Sequence, residues 1–143
     1  DPIKAVSNEV YDQFKKSQNI KLNDILFVND GTFLIGRTAM VTQQDIKIVI
    51  QSHVKKFRVE NTKLLNPFYF FYLLNSKIVK KQVLSKTFVQ ATISTIGNRI
   101  KEIVLPITKN KSEIVKISKE IQKIIIDKSK LREKTVKIID ESV

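Results

Sequence analysis

The sequence predicts an α/β (α+β) fold: a small twisted mixed β-sheet globule with a few helices, followed by a long C-terminal helix. Three observations predict it. Short apolar blocks with strand-like alternation occupy the region before residue 60. Apolar residues at helical spacing take over after Asn66-Pro67. A heptad pattern, uninterrupted by Gly or Pro, fills residues 110–143.

The elements follow in order. Asp24 to Val28 and Phe33-Leu34-Ile35 are two apolar runs around Asn29-Asp30-Gly31, a tight-turn signal, so a hairpin is expected there. Gly36 closes the second run at a bulge or turn. Ala39-Met40-Val41, Ile46 to Ile50 and, more weakly, Val54 to Val59 continue the strand pattern. Asn66 is a good N-cap and Pro67 is tolerated at the first helical position. Phe70, Phe71, Leu74 and Ile78 then predict a helix over 67–81. A polar loop or irregular strand through Thr87 and Gln90 leads to a short helix over 92–101 and a strand over 103–107, with Pro106 at its end or edge. Ile114, Ile117, Ile121, Ile124, Leu131 and Ile138 alternate three and four apart, with Lys128 and Thr135 in the two remaining seam places. An apolar stripe of this kind needs a partner. The expected organisation is a globule over 1–109 and a spacer or dimerisation helix over 110–143.

Composition narrows the function. With 42% hydrophobic and 28% charged residues, the chain has a globular balance. Its longest apolar stretch, Pro67 to Leu74, is too short to cross a membrane, and the polar opening is unlike a secretory signal. Cysteine is absent, which removes disulfides and thiolate sites and agrees with a reducing cytoplasm. His53 is the single histidine, too little for a zinc site, and reads as a surface residue beside a strand. Three isolated glycines supply neither a dinucleotide or S-adenosylmethionine turn nor a P-loop. Asn66-Pro67-Phe68-Tyr69 looks superficially like the base-holding box of adenine methyltransferases. It lacks the second proline, and a capped helix accounts for all four residues. The acidic residues form no nuclease cluster. The expectation is a chain that is not an enzyme in its own right and uses no metal or cofactor.

The charge points to a polyanion. The net charge is +12, and residues 76–111 alone hold Lys77, Lys80, Lys81, Lys86, Arg99, Lys101, Lys109 and Lys111 against Glu102, a balance of +7. A concentrated positive field attracts nucleic acid, and DNA is its densest common form. An RNA-associated protein and an assembly module built on the helical arm are the alternatives. RNA readers offer exposed aromatics for stacking, whereas Phe68 to Tyr72 fall in a helix expected to be buried.

A family resemblance sharpens this. Lys21 to Gly36, reading KLNDILFVNDGTFLIG, resembles the "gDIl…dGt.liG" segment of target-recognition domains. Such domains occur in type I restriction–modification specificity subunits and in related adenine-specific methylases and fused restriction enzymes. Phe88 to Ile107 looks like their second hallmark, a polar loop, a short helix and an "i.lPiP" strand, and 114–140 resembles the spacer helix that follows. Thr108 stands where the second proline is usual, the common loop glycine before Thr92 is missing, and the family's earlier Gly-rich segment is absent, as if the chain were truncated at its N-terminus. The resemblance implies that the chain reads one half of a bipartite site in double-stranded DNA, in the cytoplasm. The spacer helix would set the distance to a second recognition domain, and methylase and restriction subunits or domains would do the chemistry. It leaves open whether the parent is a separate specificity subunit or a fused enzyme.

Affinity is expected from Lys77, Lys80, Lys81, Lys86 and Arg99 at phosphates. Base reading needs donors and acceptors, for which Thr87, Gln90 and Thr92 in the polar loop and Asn29, Thr32 and Arg37 around the glycine turn are the candidates. Ile114, Ile117, Ile121, Ile124, Leu131 and Ile138 are expected to bind another helix, with packing on the chain's own globule as the alternative.

Overall fold

Strand β1 (Ile25–Val28) forms the centre of a three-stranded sheet, with β2 (Thr38–Met40) on one side and β3 (Val54–Phe57) on the other. The computed structural model describes residues 6–31, 33–90 and 93–141. Alternation along β1 sends Ile25 and Phe27 into the core and leaves Leu26 and Val28 half-buried. Ile25 lies opposite Met40 and Phe57, so these side chains share the buried face. There Phe57 meets Phe27 edge-on at 5.6 Å and Phe70 at 6.0 Å. Every described strand pairing is antiparallel, so the sheet is not mixed in direction. The α/β class itself is as predicted.

Helix α1 (Asn8–Gln18) precedes the sheet, capped by the Ser7 hydroxyl and closed by Asn19 at φ 44°. It buries no residue, and its apolar stripe of Val10, Tyr11 and Phe14 went unread in the sequence. Its anchor is polar: the Gln18 amide accepts from Ile50 N and donates to Ile50 O, both at 2.8 Å. Arg58 Nη2 donates to Asn19 O at 2.6 Å and to Asp24 Oδ2, while its Nε reaches Asp24 Oδ1, both at 2.7 Å.

Several elements differ from expectation, each for a local reason. Phe33–Ile35 is no second hairpin arm. Val28 bonds instead to Arg37 O and Gly36 N, which leaves 29–36 as a loop, and β2 starts at Thr38. Gly36 sits at φ 80° with Val83 Cγ1 only 3.0 Å from where a Cβ would lie, a place no other residue fills without strain. Residues 46–50 form no strand, since after the 3-10 turn Gln43–Asp45 the Gln18 amide takes the ladder position at Ile50. Residues 103–107 form none either. There the Gln82 amide bonds Val104 N and O, at 2.9 and 2.8 Å.

The helix expected over 67–81 is two. α2 (Pro67–Asn75) ends at Ser76, whose extended backbone and hydroxyl start α3 (Lys77–Lys86). Beyond it β4 (Phe88–Gln90), where a polar loop or irregular strand was expected, pairs with β5 (Ile93–Thr95), which replaces the start of the expected helix, and a 3-10 helix covers Gly97–Glu102. α4 (Lys111–Glu141) is the long helix predicted, its first turn held by Asn110 Oδ1 on Ser112 N and Glu113 N.

The core lies between the three-stranded sheet and α2–α3. Ile25, Phe27, Leu74, Val79, Val83 and Ile96 are its buried centre, and Ile125 of α4 packs against it.

Candidate nucleic-acid interface

The loop after β1 is built onto the β4–β5 hairpin. Gly31 N donates to Ser94 O at 2.9 Å and Ile96 N to Asn29 O at 3.1 Å, with a single bridge pairing Asp30 and Thr95. Beneath the backbone bonds lies a side-chain lock. The Asp30 Oδ1 accepts from Asn29 Nδ2 at 2.5 Å and from the Thr95 hydroxyl, which itself accepts from Gly97 N at 3.0 Å. His53 Nδ1 stands 3.4 Å from the other Asp30 oxygen. Burial alone would raise the Asp30 pKa, but the hydrogen bonds from Thr95, Asn29 and His53 outweigh it and hold the carboxyl below its ordinary value. The other end of the loop rests on α3 through the Gly36–Val83 contact. Loop, hairpin and α3 therefore form one continuous support.

On that support the predicted residues fall as follows. Lys77, Lys80 and Lys81 lie three and four apart on the exposed side of α3, opposite buried Val79 and Val83, and α3 has no acidic residue. Lys86 closes the helix and pairs with Glu102 at 2.7 Å. Arg99 lies over the Phe88 ring, 5.1 Å from its centroid, and is exposed. Arg37 is exposed where the loop rejoins β2. Thr87 is half-buried and gives its hydroxyl proton to Val83 O at 2.8 Å as α3 ends. Asn29 is only 5% exposed, which places it under the loop as a support. Gln90 ends β4 opposite Ile93, and its side chain lies outside what is described. Thr32 and Thr92 lie outside the described residues.

Sequence reasoning passed over Phe33, the loop-tip residue that is 89% exposed, and Thr95, the hydroxyl that ties loop to hairpin. Phe33 reads as strand in the sequence because an apolar run gives no sign of a wide loop. Asp30 and Thr95 are 65 positions apart, and no local pattern announces a pair at that distance.

The helix residues divide along α4. Ile114, Ile117 and Ile121 are half-buried on the side where α4 packs along α2, near buried Ser118. Ile124, Leu131 and Ile138 are 61, 66 and 65% exposed. A straight helix turns 3.6 residues at a time, so a stripe repeating every 3.5 leaves the globule as it advances.

Comparison with known families settles the kinship of this arrangement. The family model for the type I restriction modification DNA specificity domain matches residues 3–136 of the 143. The chain belongs to this family. Neither the curated proteins nor the solved structures searched contain a match to it. As a type I specificity domain it has a specificity role in restriction–modification. Among the described residues no group of His, Cys, Asp or Glu could hold a metal ion, and no helix is long and apolar enough to cross a membrane.

Proposed function

We propose that this specificity domain reads one half of a bipartite site in double-stranded DNA and directs methylation and cleavage performed by other subunits or domains. The observation that carries the reading is the locked loop 29–37, held against the β4–β5 hairpin beside a helix face of unopposed lysines. A rigid pair of loops can present side chains to base edges, and the lysines can neutralise flanking phosphates.

In this reading Lys77, Lys80, Lys81 and Arg99 hold the backbone, with Lys86 joining them when its pairing with Glu102 gives way. Arg37, Gln90, Thr32 and Thr92 read bases, while Asn29 and Thr87 hold the loops in register. The half-buried Ile114, Ile117 and Ile121 fasten α4 to the globule, and Ile124, Leu131 and Ile138 meet the helix of a second recognition domain or a second copy of this chain. Methylase and restriction subunits or domains are the other partners, in the cytoplasm. The exposed stripe on α4 also favours a second reading, an assembly module for which charge is incidental.

Fluorescence anisotropy on random-sequence duplexes at two salt concentrations tests the first reading. Binding that weakens steeply with salt and selects a consensus is the expected result. No binding at low salt, together with self-association through α4, would favour the assembly module.

A further inference from the structure

Helix α4 is held on the globule by apolar packing along its first half, as far as Ile125, and by polar contacts further along. Its first half packs along α2, with Ser118 buried. Further along, Gln44 Nε2 donates to Ser129 O at 3.1 Å and Arg132 Nη1 donates to Asp45 Oδ1 at 2.6 Å. Beneath its second half, from Ile124 to Val136, the helix borders an apolar groove of about 720 Å³, with Leu26, Met40 and Ile48 on the opposite wall. Beyond Arg132 every residue to Glu141 is exposed.

Past Ile125 the helix borders this groove instead of a packed core, so the polar contacts along it fix the angle. Asp45 is a firm post for this. Its Oδ2 accepts from Thr42 Oγ1 at 2.6 Å and from Thr42 N at 3.2 Å, which leaves Oδ1 aimed at Arg132. The lever is long. From Ile125 to Glu141 a helix rises about 24 Å, so a tilt of about 10° moves its end by about 4 Å, a little over one base-pair step.

We propose that Arg132, Asp45 and Gln44 are positioning residues that set the direction in which α4 leaves the globule, and through it the gap between the two half-sites. The inference rests on the bipartite-DNA reading above. Arg132 is the residue to change, because it takes no part in holding Asp45 to Thr42.

The chain has no cysteine, so spin labels on Lys63→Cys and Lys137→Cys report the helix angle directly by pulsed EPR. Wild type and Arg132→Lys are expected to give one narrow distance distribution. Arg132→Glu should shift or broaden it, and Gln44→Ala should add to the change, with helix content by circular dichroism unaltered. In the full specificity assembly, DNA selection with varied gaps should then show the preference of Arg132→Glu for one gap over its neighbours falling at least threefold, with the half-site sequence unchanged. Superimposable distances for wild type and Arg132→Glu would overturn the proposal. So would an altered distance with an unaltered gap preference. Absence of sequence-selective binding by the wild-type assembly would overturn the underlying reading and this role with it, and the EPR result, which needs no DNA, tells that failure apart from a failure of the clamp.

Discussion

Asp24 is 1% exposed and divides its carboxylate between two nitrogens of Arg58, while Oδ2 also accepts from Lys21 N at 2.7 Å. The fork of a guanidinium matches a carboxylate in a way an ammonium cannot, and the pairing holds the Arg58 pKa above its ordinary value. Removing the cation strands a buried charge. Arg58→Ala is therefore expected to lower unfolding stability by roughly 3 kcal/mol, and Arg58→Lys by about half as much, as read by urea denaturation. Asp30 gives the corresponding pH prediction. Its folded pKa is lowered, so its contribution to stability is complete above about pH 4 and is lost as the pH falls through the folded value. Thr95→Val removes one of the hydrogen bonds that hold the carboxylate ionised. An NMR titration should show the Asp30 pKa raised in that variant, with the loop opening at a higher pH than in wild type. An unchanged titration would mean that the Thr95 hydroxyl does not hold the loop.

Along α4, one sequence pattern serves two surfaces, and mutation separates them. Ile117→Ala trims a half-buried side chain on the packed side and is expected to cost about 1–2 kcal/mol of stability without affecting association. Leu131→Lys lies on the exposed side and should leave stability within about 0.5 kcal/mol of wild type. It should also reduce any dimer seen by sedimentation. The same helix shows how far the sequence could be read. Its heptad without Gly or Pro announced α4 almost to the residue, and Asn66-Pro67 announced the start of α2. What escaped was whatever depends on a distant partner. Gln18 and Gln82 each satisfy the backbone of a remote extended segment, at Ile50 and Val104, so those segments have the apolar character of strands but no ladder. Ser76 ends one helix and caps the next, a choice invisible to apolar periodicity. In the candidate site the lysine cluster was legible as charge and as the exposed end of a helix, though that helix proved to be a separate α3 running from Lys77 to Lys86. The lock between Asp30 and Thr95 was not legible at all.

For the molecule as a whole, the net charge of +12 makes salt dependence the most telling bulk property. Each phosphate contact contributes about −0.9 to the slope of log K against log salt. Lys80→Gln with Lys81→Gln is therefore expected to flatten the slope by about 2 and to weaken binding equally for all sequences. Arg37→Ala, on the loop, should instead blur the selected consensus. If the double lysine variant kept the wild-type slope, α3 would not be the phosphate-holding face.

The lock under the loop 29–37 has a bearing on exchange between relatives, if the proposed reading holds for this loop. Its members come from two stretches far apart in the chain, Asn29 and Asp30 from one and Thr95 from the other. A chimaera that receives residues 88–95 alone would set a foreign hairpin against a resident carboxylate. If position 95 then lacked a hydroxyl, that carboxylate would keep its charge and lose a donor. On the proposed reading the smallest portable unit is thus discontinuous, residues 29–37 together with 88–97, and a hairpin exchanged alone is expected to keep its lock only where position 95 still carries a hydroxyl.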